Sequence, residues 1–500
     1  MRARLSFLLS LALTAILVTP AAAQDIRQSV VKIFTTSRQP DITRPWSKSR
    51  PEEATGTGVV IEGNRILTNA HVVNYASRIL VQPYQSGERY EAEVIARTEC
   101  IDLAILSLED ESFFDKYPAA TFADELPRVG STASAYGYPI GGDELSITEG
   151  IVSRIEYTQY NFESHGLRIQ VDTPLNPGNS GGPATVDDRV IGLVFSGIDE
   201  ADNIGYLIPT SEIHAFLEAA ERNAASGAPS GAYRGRPFLM DLFQNLENPA
   251  LREKLGLEDM EGDTTGVMVL DPWDEPDYPL KQWDVVTAIG GVDIDNTGMI
   301  QEKGLRLYFE HLCSKFEADG QVPLSIIRDG ERLEVAAPVT AKRPRIFNYL
   351  EINNDYPSYF IFGPVVFTPV YGEHVNWLGS FLAPRGSPIA LRAGDKPDFE
   401  DQGFVVVPSP LFPHRMTKGY DMAPFPTLKT VNGVEIRNMR HLVETLRGIE
   451  DDYVVFEWYD RGADALVFKR DEAIEATEEI LDDNGIRRQM SEDLEGIWEE

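Results

Sequence analysis

Between about Val30 and Ile208 the apolar positions fall in short runs rather than in long helical stripes. VVKIFTT, GTGVVIEGNRILTNA, RILVQPY, YEAEVIAR, DLAILSL, GSTASAYGYP, LSITEGIVSRI, LRIQVD and VIGLVFSG are separated by Gly, Pro, Asn and Asp. Short strands at this spacing predict an all-β barrel or sandwich. The pattern then changes. TSEIHAFLEAAERNAA, residues 210–225, has helical spacing, with Thr210 or Ser211 as the expected cap, and SGAPSGAYRG follows as a flexible linker.

Beyond the linker the chain repeats itself. VTAIGGVDIDN (286–296) and LKTVNGVEIRN (428–438) align at a constant offset of 142, matching Gly291 with Gly433, Ile294 with Ile436 and Asn296 with Asn438. Each copy predicts a strand, a glycine turn and a second short strand. Helix-like stretches follow, MIQEKGLRLYFEHLCSK in one and MRHLVETLRG in the other, and then a hairpin. Two copies of one small α+β module are the simplest account. The last thirty residues are rich in Glu and Asp. Ile474, Ile480, Ile486, Met490 and Leu494 form an expected apolar stripe of helical segments laid on the second module.

The first residues follow a third pattern. MRARLS carries two arginines, FLLSLALTAILV is apolar but short for a membrane span, and TPAAAQ supplies small residues for a cut after Ala23. This predicts a secretory signal peptide over 1–23 and an exported chain, with the periplasm as its expected location. No later stretch is long and apolar enough to predict stable membrane insertion. With 500 residues, 42% hydrophobic, there is material for about three domains. Two cysteines, Cys100 and Cys313, make no disulfide framework. The balance of 45 basic against 79 acidic residues leaves a net charge of −34, which repels phosphate and argues against nucleic acid as a partner.

Candidate chemistry centres on NPGNSGGPA, 176–184, where three glycines crowd around Ser180. Taken singly, such a turn is ordinary, and so is a histidine after a strand. Together they form an ordered set: ILTNAHVV ends a strand with His71, CIDLAILSL opens one with Asp102, and Ser180 comes last, with gaps of 31 and 78 residues. That is the chain order of the chymotrypsin-type arrangement and not that of the hydrolase or subtilisin types. A serine hydroxyl needs a base, His71 supplies one that titrates near neutrality, and Asp102 would orient the ring. Backbone N–H groups of Gly178 and Ser180 could bind the oxyanion, along a path that glycine follows cheaply. His165, His214, His311, His374, His414 and His441 show no metal-ligand spacing, so neither metal nor cofactor is expected.

TGTGVVIEGNRILTNAHVV, CIDLAILSL, SITEGIVSRI and NPGNSGGPATVDDRVIGLVFSGI resemble the signature blocks of HtrA/Deg serine proteases. VVKIFTTSRQPDITRPW, LENPALREKLGL, YPSYFIFGPVVFTPV and EAIEATEEILDDNGIRRQMSEDL resemble the Deg branch known from plants, with bacterial relatives. The resemblance covers nearly all of the chain after the leader. It implies a mainly β protein: a chymotrypsin-like double β-barrel over 24–225, a linker at 226–233, two small α+β PDZ-like domains at 234–341 and 345–470, and an acidic helical segment at 471–500. It transfers the triad to His71, Asp102 and Ser180 and the oxyanion hole to Gly178 and Ser180. Val194, Phe195, Ser196 and Gly197 become the substrate-binding strand. Pro174 and Leu175 fall near the floor of the specificity pocket, with Asp172 the one acid close by, so small or medium apolar P1 residues are expected. RGRPFLM, 234–240, becomes the carboxylate loop of the first PDZ-like domain, although Pro237 removes one donor. The implied activity is ATP-independent cleavage of unfolded or misfolded exported proteins in quality control, and the alternative is a PDZ-based chaperone or scaffold with a latent protease domain. The implied partners are unfolded polypeptides, peptide C-termini and further copies of the chain in a trimer or hexamer.

Overall fold

The computed structural model describes residues 25–160, 164–197, 204–227, 233–260, 262, 264–341, 352, 356–372, 374, 386–392, 397–422 and 425–499. The leader expected over 1–23 lies outside the described residues, as does most of the linker.

Six strands close the first barrel: β1 Val30–Ser37, β2 Glu52–Ile61, β3 Arg65–Thr68, β4 Ala76–Pro83, β5 Tyr90–Thr98 and β6 Leu103–Leu108, in the order β1-β2-β3-β6-β5-β4. Val31, Ile33, Val60, Ile66, Val81 and Leu106 fill its interior. Six more close the second: β7 Thr132–Gly137, β8 Ser146–Gln159, β9 His165–Val171, β10 Pro183–Val186, β11 Arg189–Gly197 and β12 Gly205–Pro209, in the order β10-β11-β12-β9-β8-β7. Val152, Ile169 and Leu207 lie inside it. A separate apolar layer joins the barrels, with Val59, Leu67, Ile101 and Leu103 from the first meeting Leu193, Phe195 and Ile208 from the second. Strands with apolar side chains on both faces produce this layer, because one face fills a barrel while the other packs on its neighbour.

A helix, Thr210–Ser226, leaves β12 directly and buries Ile213 and Phe216 in the same layer. Its cap differs from the expected one. Pro209 holds the N-cap position without a side-chain cap, and Thr210 lies inside the first turn. The strand runs into the helix with no intervening residue, so neither hydroxyl reaches the capping geometry. Gly227, at φ 71°, ends the helix in the left-handed conformation.

The first small module is a sheet in the order β13-β14-β15-β19-β20, with β16 on β15. Its strands are β13 Leu242–Asn245, β14 Val267–Asp271, β15 Val285–Ile289, β16 Val292–Asp293, β19 Gln321–Arg328 and β20 Glu331–Pro338. Here the repeat diverges from the sequence expectation. The stretch after Asn296 forms a hairpin, β17 Met299–Glu302 with β18 Leu305–Tyr308, and only short helical turns at Phe309–Leu312 and Cys313–Phe316. Lys303 and Gly304 both have positive φ, at 48° and 81°, which is the turn that closes a two-residue hairpin, and Ile300 buries opposite Leu307.

The second module keeps the expected helix, Met439–Arg447, where Asn438 accepts the N–H of His441 as its cap. Its strands are β21 Phe360–Phe362, β22 Val365–Pro369, β23 Val405–Val406, β24 Leu428–Val431, β25 Val434–Glu435, β26 Tyr453–Trp458 and β27 Leu466–Lys469. The acidic C-terminal segment is helical at Arg470–Asp483 and Glu492–Glu499, and Ala473, Met490, Leu494 and Ile497 belong to this module's core. Ile474 is exposed, contrary to the expected stripe, because the buried face runs through Ala473, Ala476, Thr477 and Ile480 at helical spacing.

Candidate active site

His71 sits in a single helical turn, Ala70–Val73, that follows β3 immediately. Asp102 precedes β6, the strand paired with β3, and is 4% exposed. Strand pairing therefore brings two residues 31 positions apart into contact. The Asp102 carboxylate is held from two sides: the His71 backbone N–H donates to Oδ1 at 2.8 Å, and ring Nδ1 lies 2.6 Å from Oδ2. The Asn69 side-chain amide donates to the Asp102 carbonyl at 2.9 Å. With Nδ1–H facing a carboxylate, Nε2 is the basic nitrogen. Burial pushes the imidazole pKa down, but the hydrogen bond and the charge of Asp102 outweigh it and leave His71 raised above its ordinary 6.5.

Ser180 lies in the turn between β9 and β10, half-buried. Gly178 and Gly181 there have φ of 102° and 84°, a region that favours glycine. Lack of a side chain matters as much as the torsion. A Cβ on Gly178 would overlap the Tyr138 carbonyl, and one on Gly181 the Thr57 carbonyl and the Thr68 hydroxyl. The turn is pressed against the first barrel at the end of the strand that carries His71.

Hydrogen bonds lock most of this turn. Asn179 N–H donates to Asn176 O at 3.0 Å, Gly181 N–H to Val194 O at 3.0 Å, and Gly182 N–H to Asn179 O at 2.9 Å. Ile140 N–H holds the Pro177 carbonyl at 2.9 Å, and Thr57 N–H holds the Ser180 carbonyl at 3.0 Å. Among the described residues, the N–H groups of Gly178 and Ser180 donate to no protein acceptor. Within 177–182 the two amides expected to bind an oxyanion are thus the two left over. Among the described residues no hydrogen bond joins Ser180 Oγ to the His71 ring, so the side-chain hydrogen bond within the set is the His71–Asp102 one.

The expected substrate strand divides in two. Val194 uses both backbone groups on the turn, donating to Gly182 O at 2.8 Å and accepting from Gly181, and its side chain is buried. Both of its backbone groups thus brace the Ser180 turn. Phe195 falls at the register shift between Val194 and Ser196, with its ring 5.0 Å from the Arg168 guanidinium carbon. Ser196 and Gly197 continue β11, opposite Tyr206 and Gly205. A Cβ on Gly205 would run into the Leu175 side chain, which places Leu175 over the gap that this glycine leaves. Pro174 is exposed. Asp172 accepts the N–H of Ile151 and so is turned onto β8.

Two residues that sequence reasoning did not single out contact this site directly, Thr57 and Asn69, both fully buried. Each lies within a quoted stretch, TGTG or NAH, but a buried hydroxyl or amide leaves no periodic signal. The expected carboxylate loop at 234–240 is engaged within the chain. Arg236 donates to Glu212 at 2.8 Å and to Ser211 O at 2.9 Å, while Phe238 and Leu239 are buried. That segment is strapped to the helix that leaves the second barrel.

A trypsin-like peptidase domain model matches residues 56–193, and a PDZ domain model matches 350–493. Over 478 residues the chain is 34% identical to Protease Do-like 2, chloroplastic, of Arabidopsis thaliana, covering 93% of this chain and 75% of that protein. It is 34% identical over 439 residues to Protease Do-like 4, mitochondrial, from the same organism, covering 85% and 78%. Among solved structures, the HtrA-type protease AlgW with a tripeptide aligns with a TM-score of 0.47 at 23% identity, covering 64% of this chain and 95% of that one.

Proposed function

The chain belongs to the Deg/Do-like family of HtrA serine proteases, and from that premise we propose that it cleaves peptide bonds through His71, Asp102 and Ser180. His71 Nε2 takes the Ser180 proton as Oγ attacks the scissile carbonyl. The resulting oxyanion is held by the N–H groups of Gly178 and Ser180, and Asp102 stabilises the imidazolium. The proton then passes to the leaving amine, and a water activated by His71 hydrolyses the acyl-enzyme. The observation that carries this proposal is the turn 177–182, where the N–H groups of Asn179, Gly181 and Gly182 are bonded and those of Gly178 and Ser180 donate to no protein acceptor among the described residues.

The substrates we propose are unfolded or misfolded polypeptides, cleaved after small or medium apolar residues. Leu175 over Gly205 supports the apolar preference, and Asp172, turned onto β8, offers no acid to a basic side chain. The relatives' names place them in chloroplasts or mitochondria, and among the described residues no helix is long and apolar enough to cross a membrane. With the leader expected over 1–23, we place this chain in an exported compartment, the periplasm. The proposed organisation is the protease domain over 24–225 and PDZ-like domains over 234–341 and 345–470, in a trimer or hexamer that recruits peptide C-termini.

The test is degradation of casein by the purified mature chain. Ser180→Ala is expected to abolish it without lowering the unfolding temperature, and a fluorophosphonate probe is expected to label the wild type at Ser180. Proteolysis that survives the substitution would overturn the assignment, and persistent silence toward the probe would favour the scaffold.

A further inference from the structure

The glycine that the oxyanion hole requires is also the residue least able to hold a peptide plane still. At φ 102° Gly178 takes a conformation that larger residues rarely adopt, and no larger residue fits beside the Tyr138 carbonyl. Within the turn the Asn179 N–H ties the 178–179 peptide to Asn176 O at 3.0 Å, which leaves its carbonyl to be held from outside. We propose that Thr57, on β2 of the first barrel, is the positioning residue that holds the Gly178 peptide in the productive orientation. This rests on the protease proposal above.

Thr57 is 0% exposed and uses every polar atom it has. Its hydroxyl donates to the Gly178 carbonyl at 2.7 Å and accepts the Tyr138 N–H at 2.9 Å. Its backbone N–H donates to the Ser180 carbonyl at 3.0 Å, and its carbonyl accepts the Thr68 hydroxyl at 2.7 Å. One residue thus joins the nucleophile turn on both sides of Asn179, the loop that follows β7, and the end of β3 just before His71.

Drawing the Gly178 carbonyl toward the first barrel prevents the 178–179 peptide from flipping. Once that plane is free to tilt, the 177–178 and 179–180 planes on either side, whose N–H groups are the free donors, lose their fixed relation to one another. Valine would fill nearly the same volume, but it leaves the Gly178 carbonyl and the Tyr138 N–H without the partner that the hydroxyl supplies. The hydroxyl's distinctive contribution is directional. Lys32 pairs with Thr57 across β1 and β2, and its ammonium donates to the Gly142 carbonyl at 2.8 Å. The same face of the first barrel therefore grips the loop of Tyr138 a second time.

The test compares Thr57→Val and Thr57→Ser in the mature chain. The substrate is a fluorogenic peptide taken from a mapped casein cleavage site, and the inhibitor is a trifluoromethyl ketone of the same sequence, whose adduct with Ser180 carries the oxyanion. Losing one oxyanion donor outright lowers kcat by roughly 100- to 1000-fold. Misorienting the donors in Thr57→Val is expected to lower kcat by about 10- to 100-fold on that scale, with KM within about twofold. Ketone affinity should fall by the same factor as kcat/KM, and Thr57→Ser should restore both to within a fewfold of wild type. Thr57→Ala carries the test if valine prevents folding. Wild-type kcat and ketone affinity in a folded hydroxyl-less variant would overturn the inference, as would an equal loss in Thr57→Ser. An inert wild type that resists the fluorophosphonate would overturn the protease proposal itself, and this inference with it.

Discussion

At the scale of single residues the site depends on which protons are held and which are free. The Asp102 carboxylate, 2.6 Å from His71 Nδ1, raises the imidazole pKa against the opposing effect of burial. The general base proposed in His71 works only when deprotonated, so kcat/KM for peptide hydrolysis should rise with pH through an acid limb whose midpoint lies above 6.5. Asp102→Asn removes the charge that raises it, and its residual activity should titrate at lower pH. A pH–rate profile of both proteins checks this, and an unchanged midpoint in Asp102→Asn would contradict it. The glycines of the turn were legible as a demand for close approach. Which atoms approach, the carbonyls of Tyr138 and Thr57, came from two different barrels and could not be read from NPGNSGGPA alone.

At the scale of elements, the helix Thr210–Ser226 does more than follow the second barrel. Glu212, 1% exposed in its side chain, pairs with Arg236 at 2.8 Å, and Arg236 in turn holds the Ser211 carbonyl. This pair ties the helix to the entrance of the first small module. Breaking a buried pair from one side strands the other charge, at a cost of about 3–5 kcal/mol. Glu212→Ala should therefore lower the thermal unfolding midpoint, whereas Glu218→Ala, on the exposed side of the same helix, should barely move it. Calorimetry distinguishes the two, and equal shifts would contradict a special role for Glu212. Helix and strand types were largely predictable from periodicity. The hairpin at Met299–Tyr308 was not, because its apolar residues also satisfy a helical spacing and the deciding signal was the positive φ of Lys303 and Gly304.

At the scale of the whole molecule, the second module leans on the first barrel as well as on its own core. Trp46, from the segment between β1 and β2, packs 5.9 Å from Tyr359 and 5.8 Å from Phe412, ring to ring. The Tyr75 hydroxyl donates to the Ile352 carbonyl at 2.9 Å. His374 lies buried beside the same segment. Burial lowers its pKa from 6.5 to about 4, and a hydrogen bond with the Ile42 backbone offsets only part of that. The unfolded chain takes up this proton near pH 6.5 and the folded chain does not until about pH 4. Stability is therefore lost as pH falls through that window, by up to about 3 kcal/mol from this one group. His374→Leu should flatten the fall measured by denaturant titration between pH 7 and 4, and an unaltered slope would contradict the assignment.

The sequence by itself determined the kinds of element, the repeat, the residues able to do the chemistry and the family resemblance, because periodicity, turn residues and local motifs are properties of neighbours along the chain. Tertiary structure alone decided that His71 meets Asp102 across paired strands, and that Val194 serves the turn with its backbone. It alone turned 234–240 toward the helix and assembled the restraints on Gly178. Each of these is a contact between residues far apart in sequence. Their energies depend on distance and angle in space, which no stretch of sequence encodes on its own.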